Sequence, residues 1–127
     1  MDKNFWGKLE KPIYALAPMA GVADSAFRQI CKSFGADVVY SEMASATALS
    51  YAPKKTLEML KSSKKEAPYV IQLFGSKPEH FAHAVKLLTN KKQISKFQIP
   101  NYQLPSGFDI NFGCSVKKVQ KQGAGAI

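Results

Sequence analysis

Residues Asp109 to Ala126 read DINFGCSVKKVQKQGAGA. Their opening apolar residues predict the end of a short strand, which delivers Asn111, Gly113 and Cys114 to a single loop. A basic segment, Lys117 to Lys121, follows at once. Gly123 and Gly125 then permit the close approaches or positive φ angles that other residues resist. A thiol, an amide and cationic side chains therefore converge on one loop. A strand followed by a glycine-containing loop ends many α/β units, so its meaning depends on the chain before it.

That strand, Phe108 to Asn111, is the last of four short apolar runs. The first, Ile13 to Ala17 (IYALA), is stopped by Pro18 and reads as a strand buried on both faces. The second is Asp37 to Tyr40 (DVVY), with Ser41 and Glu42 at its end. The third, Tyr69 to Leu73 (YVIQL), carries Gln72 where a buried strand should exclude an amide, and a buried amide needs partners. Between the first two runs, Asp24 is placed to cap a helix with Ala23, Ala26, Phe27, Ile30, Cys31 and Phe34 at helical spacing, and Gly35 is placed to end it. Ala44 to Tyr51 carries no decisive pattern. Pro53 opens a helix through about Lys61, with Leu57 and Leu60 on its apolar side and a solvated face of lysines. Gly75, Ser76 and Pro78 make a turn and a helix start, with Phe81, Ala82, Val85 and Leu88 marking the buried side.

From Thr89 to Pro105 the periodicity disappears, which predicts a basic surface excursion in the connection to the fourth strand. Phe97 and Tyr102 within it either stack on bases or pin the excursion to the body, and pinning is the simpler reading.

Each parallel strand must be reached by a crossover, so strands alternating with helices predict a parallel α/β fold. Glu42, Gln72, Asn111 and Cys114 all sit at or near the carboxyl ends of their strands, where a parallel sheet or (β/α) barrel builds its ligand site. Ordinary loop polarity explains any one of them; the coincidence across three strands points to a common site.

At 127 residues the chain has room for one small domain, and 46% apolar content allows it a core. The formal charge of +9, with Arg28 the only arginine, fits a polyanionic partner such as nucleic acid and equally a lysine-rich, self-repelling surface. Cys31 and Cys114 belong to no CxxC or Cys/His zinc spacing, which indicates neither a disulfide framework nor a structural metal. Reduced thiols of a cytoplasmic protein are expected, with Cys31 in the core. His80 and His83 lack a third ligand nearby and read as a surface pair, so no metal is expected. The amino terminus shows no leader pattern. The apolar run from Ile13 to Ala23 is broken by Pro18 and Gly21, so neither export nor membrane insertion is expected.

Four segments together carry a family resemblance: APMAGVADSAFR at Ala17 to Arg28, SEM at Ser41 to Met43, VIQLFGSKPE at Val70 to Glu79, and the stretch quoted first. In this order and at these spacings the chain resembles the tRNA-dihydrouridine synthases, flavoenzymes built on a (β/α)8 TIM barrel with an appended helical domain. The match spares only the first ten or so residues and the Thr89 to Pro105 excursion. Such a barrel takes about 250 residues. The resemblance therefore implies that residues 1–127 are the first half of the barrel, truncated after about four βα units. The C-terminal half-barrel and the RNA-binding domain would be absent, and the isolated chain is expected to be inactive.

The resemblance further implies that Pro18, Met19 and Ala20 pass against the flavin of FMN, that Gln72 hydrogen-bonds the flavin ring, that Asn111 lies near the uracil, and that Cys114 is the general acid. FMN, recharged by NADPH or NADH, would pass hydride to C6 of a uridine in tRNA, and the cysteine would protonate C5. A thiol, with an ordinary pKa of roughly 8.5, still carries its proton at neutral pH, whereas an ordinary carboxylate has lost its own. Lys117 and Lys118 would meet RNA phosphate. Ser115 stands where the family usually has proline, which leaves the cysteine loop less constrained. Two other readings stay open: an FMN-dependent barrel oxidoreductase acting on a free pyrimidine, and a non-catalytic fragment that binds RNA through its lysines.

Overall fold

A computed structural model describes residues 4–100 and 102–125; Asn101 in the excursion, Ala126 in the motif, Ile127 after it and the first three residues of the amino terminus lie outside the described residues. Strands β1 (Ala15–Leu16), β2 (Val38–Tyr40), β3 (Ala44–Ser45), β4 (Tyr69–Phe74) and β5 (Gly107–Ile110) form one sheet. All the pairings are parallel. The helices are α1 (Ser25–Ser33), α2 (Ala46–Tyr51), α3 (Pro53–Met59), α4 (Pro78–Leu88), α5 (Lys91–Ser95) and α6 (Lys117–Gln120). This is the expected α/β architecture, consistent with part of a TIM barrel.

β4 is the centre of the sheet. Along one side it pairs with β2 at its start and β3 at its end, and along the other with β5. Tyr40 pairs with Val70 and Ala44 with Leu73, so Ser41, Glu42 and Met43 face only Ile71 and Gln72. β2 and β3 are thus two parts of one strand interrupted by a bulge of one extra residue, and four strand lines cross the sheet as the four apolar runs predict.

The two faces of the sheet follow the strand period of two. Tyr69, Ile71 and Leu73 join Val39, Leu49, Leu57 and Leu88 in the main core beneath the helices. Val70 joins Val38 and Phe5 in a smaller cluster on the other face. Gln72 alternates onto that second face, and the register places it beside Asp109.

Asp24 caps α1 as expected, accepting the Phe27 N–H at 2.8 Å, and Gly35 follows the helix with φ +97°. Four other expectations need correction. β1 is two residues long, pairs only with β2 and leaves Tyr14 and Ala15 exposed, so it is an edge strand and not one buried on both faces. The apolar stripe of α1 faces that open edge: Ile30 is exposed, Phe34 is 88% exposed, and Cys31 is a half-buried wall of an open groove of about 730 Å³. Among the described residues nothing crosses the edge to cover the stripe.

In α4 the buried residues are His80, Ala84, Leu87 and Leu88, while Ala82 is exposed. α2, which had no decisive sequence pattern, packs on α4 and draws this side inward. His80 is therefore no surface residue; its Nδ1 lies 3.0 Å from the Thr47 hydroxyl. The excursion, finally, contains a capped helix. Asn90 accepts the Gln93 N–H at the start of α5, and Ile94, Ile99 and Tyr102 are buried in the main core. Tyr102 donates to the Leu88 carbonyl at 3.2 Å, so the aromatic pins the segment.

The deepest polar cluster centres on Arg28, fully buried like its partner Glu66. Its Nε donates to Glu66 Oε2 at 2.6 Å, Nη1 to the Ala23 carbonyl at 2.6 Å and Nη2 to the Lys61 carbonyl at 2.7 Å. Its guanidinium lies 4.7 Å from the centre of the Tyr69 ring. Glu66 Oε1 accepts from the Ser25 hydroxyl and the Ser63 N–H. Breaking a buried pair by removing one partner strands the other charge, so Arg28→Ala should cost about 3–5 kcal/mol in urea-unfolding free energy.

Stability should also fall in alkali. Burial pushes the Tyr69 and Tyr102 phenols well above their ordinary values. In the unfolded chain both ionise near pH 10, so the folded state holds their protons more tightly. That stabilisation is complete below about pH 10 and is lost as pH rises toward the folded values. Urea unfolding between about pH 8 and 11 should show the decline, and Tyr102→Phe should make it shallower; an unchanged slope would remove Tyr102 from this effect.

Candidate active site at the carboxyl ends of the strands

The bulge between β2 and β3 costs the ladder an acceptor, and a side chain replaces it. The Ser41 N–H donates to the Val70 carbonyl at 2.9 Å, keeping the strand in line. The Ser41 hydroxyl accepts the Gln72 N–H at 3.0 Å and donates to the Glu42 carbonyl at 2.6 Å. With Ser41 so held, the extra residue re-aims its neighbours. Glu42 Oε2 accepts the Gly21 N–H at 2.5 Å, tying down the loop after β1. Gly21 has φ +77°, and Val22 and Ala23 both donate to the Met19 carbonyl, which closes this loop into a turn. Pro18 and Met19 are half-buried on it, and Ala20 is exposed at its tip.

Gln72, 8% exposed, has the partners that its place in an apolar strand demanded. Its Nε2 donates to Asp109 Oδ2 at 2.6 Å, and its Oε1 accepts from Asn111 Nδ2 at 3.1 Å. Asn111 Oδ1 in turn accepts the N–H groups of Gly113 and Cys114, both at 3.0 Å, a local turn of the kind asparagine forms after a strand. Asn111 Nδ2 also lies 3.8 Å from Met43 Sδ. One continuous run of hydrogen bonds joins Asp109, Gln72, Asn111 and the backbone of Cys114.

The far limb of the loop folds back onto the thiol-bearing residue. Gly125 has φ +77°, and a Cβ there would stand 3.1 Å from the Cys114 Cβ and inside contact distance of its carbonyl oxygen. Only glycine satisfies both conditions. Lys117 and Lys118, in α6, are exposed, while Val119 anchors that helix. Burial, and secondarily the charge of Asp109, pushes the Tyr40 phenol above its ordinary value.

The structure thus brings Gln72, Asn111 and Cys114 into direct succession, and it ties the Pro18–Met19–Ala20 loop to β2 through Glu42. Sequence reading passed over Asp109, Ser41 and Met43 as parts of this arrangement. Asp109 did leave a signal: it is a carboxylate inside a strand, two residues from Asn111 and so on the same face. Chemically the site presents two carboxamides of fixed direction and one half-buried thiol. Among the described residues no group of three or more His, Cys, Asp or Glu side chains is placed to hold a metal ion, and no helix is long and apolar enough to cross a membrane.

Comparison with known proteins gives a coherent result. The family model described as Dihydrouridine synthase (Dus) matches residues 15–127. A protein of Treponema pallidum named "Probable tRNA-dihydrouridine synthase" is 38% identical over 110 residues, covering 87% of this chain and 29% of its own length. One of the same name from Helicobacter pylori is 38% identical over 111 residues, with 87% and 30% covered. "tRNA-dihydrouridine synthase B" of Xanthomonas campestris is 32% identical over 118 residues, with 91% and 31% covered. The chain spans about three-tenths of the length of these relatives.

The bulge makes a prediction of its own. Ser41→Ala leaves the Gln72 N–H buried without its acceptor, which should cost about 1–3 kcal/mol of unfolding free energy. Amide exchange at Gln72, followed by NMR, should speed up accordingly; unchanged exchange there would show that the hydroxyl does not hold the bulge.

Proposed function

The chain belongs to the dihydrouridine synthase family, and from that premise we propose that its protein reduces the C5–C6 double bond of uridine in tRNA, with Cys114 as the general acid. The observation that carries this reading is the hydrogen-bonded succession from Gln72 through Asn111 to Cys114 at the carboxyl ends of parallel strands. The donor set fits a flavin. Gln72 keeps one amide hydrogen and one lone pair beyond its two bonds, and the neighbouring loop after β1 exposes Ala20 and Gly21 at its tip, with Val22 beside them. Pro18, Met19, Ala20 and Gln72 would hold FMN, which when bound supplies hydride to the pyrimidine and is recharged by NADPH or NADH.

The chain's own part is proton delivery and orientation. Cys114 gives its thiol proton to C5 as negative charge develops there. Asn111 spends its acceptor oxygen on the loop, holding Cys114 in place, and one amide hydrogen on Gln72, so what it can turn to a uracil carbonyl is the second hydrogen, which otherwise meets only the weak acceptor Met43 Sδ. The exposed Lys117 and Lys118, and the net charge of +9, suit RNA phosphate, and a cytoplasmic site of action follows from tRNA as substrate. The uridine must leave its stack to reach such a site.

In the protein as its own cell produces it, Cys114→Ala should lower reduction of tRNA uridine by about 10²-fold or more while FMN absorbance is retained. Undiminished reduction would remove Cys114 from this role. Reduction of free uracil as fast as folded tRNA would instead assign the protein to small pyrimidines.

A further inference from the structure

We propose that Asp109 is a positioning residue whose carboxylate sets the direction of the Gln72 and Asn111 amides and, through them, holds the loop that presents Cys114. This rests on the reading of Cys114 as proton donor. The argument is one of donors and acceptors. An ionised carboxylate has no hydrogen to give, so the contact at 2.6 Å between Asp109 Oδ2 and the Gln72 amide must use the amide nitrogen. That choice turns Gln72 Oε1 toward Asn111, which must then answer with its own nitrogen, at 3.1 Å. Asn111 is left with its oxygen facing the N–H groups of Gly113 and Cys114.

The other end of the chain makes the same demand independently, because two backbone N–H groups can only donate. Carboxyamides are ordinarily free to turn over, exchanging oxygen for nitrogen. Here neither can: a reversed Gln72 would set its nitrogen against the Asn111 nitrogen and its oxygen against the carboxylate. An acceptor-only group on β5 and a donor-only pair in the cysteine loop thus fix two amides between them. Asp109 sits opposite Gln72 in the β4–β5 register, so the constraint is built into strand pairing and not into the loop itself. Tyr40, from β2, is an ionisable group that Asp109 influences on this face: burial first, and then the Asp109 charge, favour its protonated form.

Asp109→Asn keeps the size of the side chain but replaces a charged, acceptor-only group with an amide that can turn either way, so Gln72 is directed from the cysteine-loop end alone and held at β5 by a weaker, neutral bond. In the protein as its own cell produces it, kcat for reduction of tRNA uridine should fall about 10- to 100-fold, as expected when a reacting group is slightly misplaced. KM for tRNA should stay within about two-fold of the unsubstituted protein, with kcat expressed per protein that has FMN bound, because Gln72 is itself a proposed FMN contact. Asp109→Glu, which remains acceptor-only, should retain several-fold more kcat than Asp109→Asn. The inference is overturned if Asp109→Asn keeps kcat, if its loss merely tracks lost FMN or folded protein, or if the Asn and Glu variants are equally impaired. Cys114→Ala in the same assay separates the two readings. An active Cys114→Ala overturns the underlying one, whereas an inactive Cys114→Ala beside an unimpaired Asp109→Asn overturns this one alone.

Discussion

Where Ser41, Glu42 and Met43 face only Ile71 and Gln72, the parallel ladder has one residue too many, and the Ser41 hydroxyl accepts the N–H that the strand backbone cannot. A buried N–H left without that acceptor would cost free energy on the scale of a lost hydrogen bond. Once it is satisfied, the extra residue becomes useful. It turns Glu42 toward the Gly21 N–H and brings Met43 close to Asn111, so loops from three different strands are joined through one irregularity. Bulges beside active sites commonly serve in this way, re-aiming side chains that a regular strand would bury.

One of these loops, the one after β1, is also held by charge. Arg28 reaches the Ala23 carbonyl at the end of the β1 loop, the Lys61 carbonyl after α3 and the Glu66 carboxylate before β4. Two buried charges are expensive to desolvate, and such a pair adds little net stability over well-packed apolar residues. Its value here is geometric. The guanidinium has five donors in a fixed plane, and it locks α1, the β1 loop and the approach to β4 at set distances.

Much of this was readable from residue order. The four apolar runs mark the strand lines, Asp24 and Gly35 bound α1, and the amide in YVIQL announced partners that Asp109 and Asn111 turn out to be. What misled were faces and edges. The spacing of Ile30 and Phe34 says which side of α1 is apolar but not whether anything covers it, and both are exposed. His80 looked like half of a surface pair until α2 packed on α4 and buried it. Thr89 to Pro105 has no periodicity because its helix is a single short element, too brief to show one; Ile94, Ile99 and Tyr102 are buried by neighbours far away in sequence.

Sequence alone therefore determined the family and the parallel α/β order, and it marked Pro18, Met19, Ala20, Gln72, Asn111 and Cys114 as the candidate site groups, each in a recognisable local context. Local context carries caps, turns and periodicity because these depend on residues within a few positions of one another. Only the tertiary structure decided that Asp109 belongs with them. Its contact with Gln72 spans 37 positions, and it depends on the register between β4 and β5. Register is a relation between two strands, and a shift of a single residue would have turned the same carboxylate to the other face.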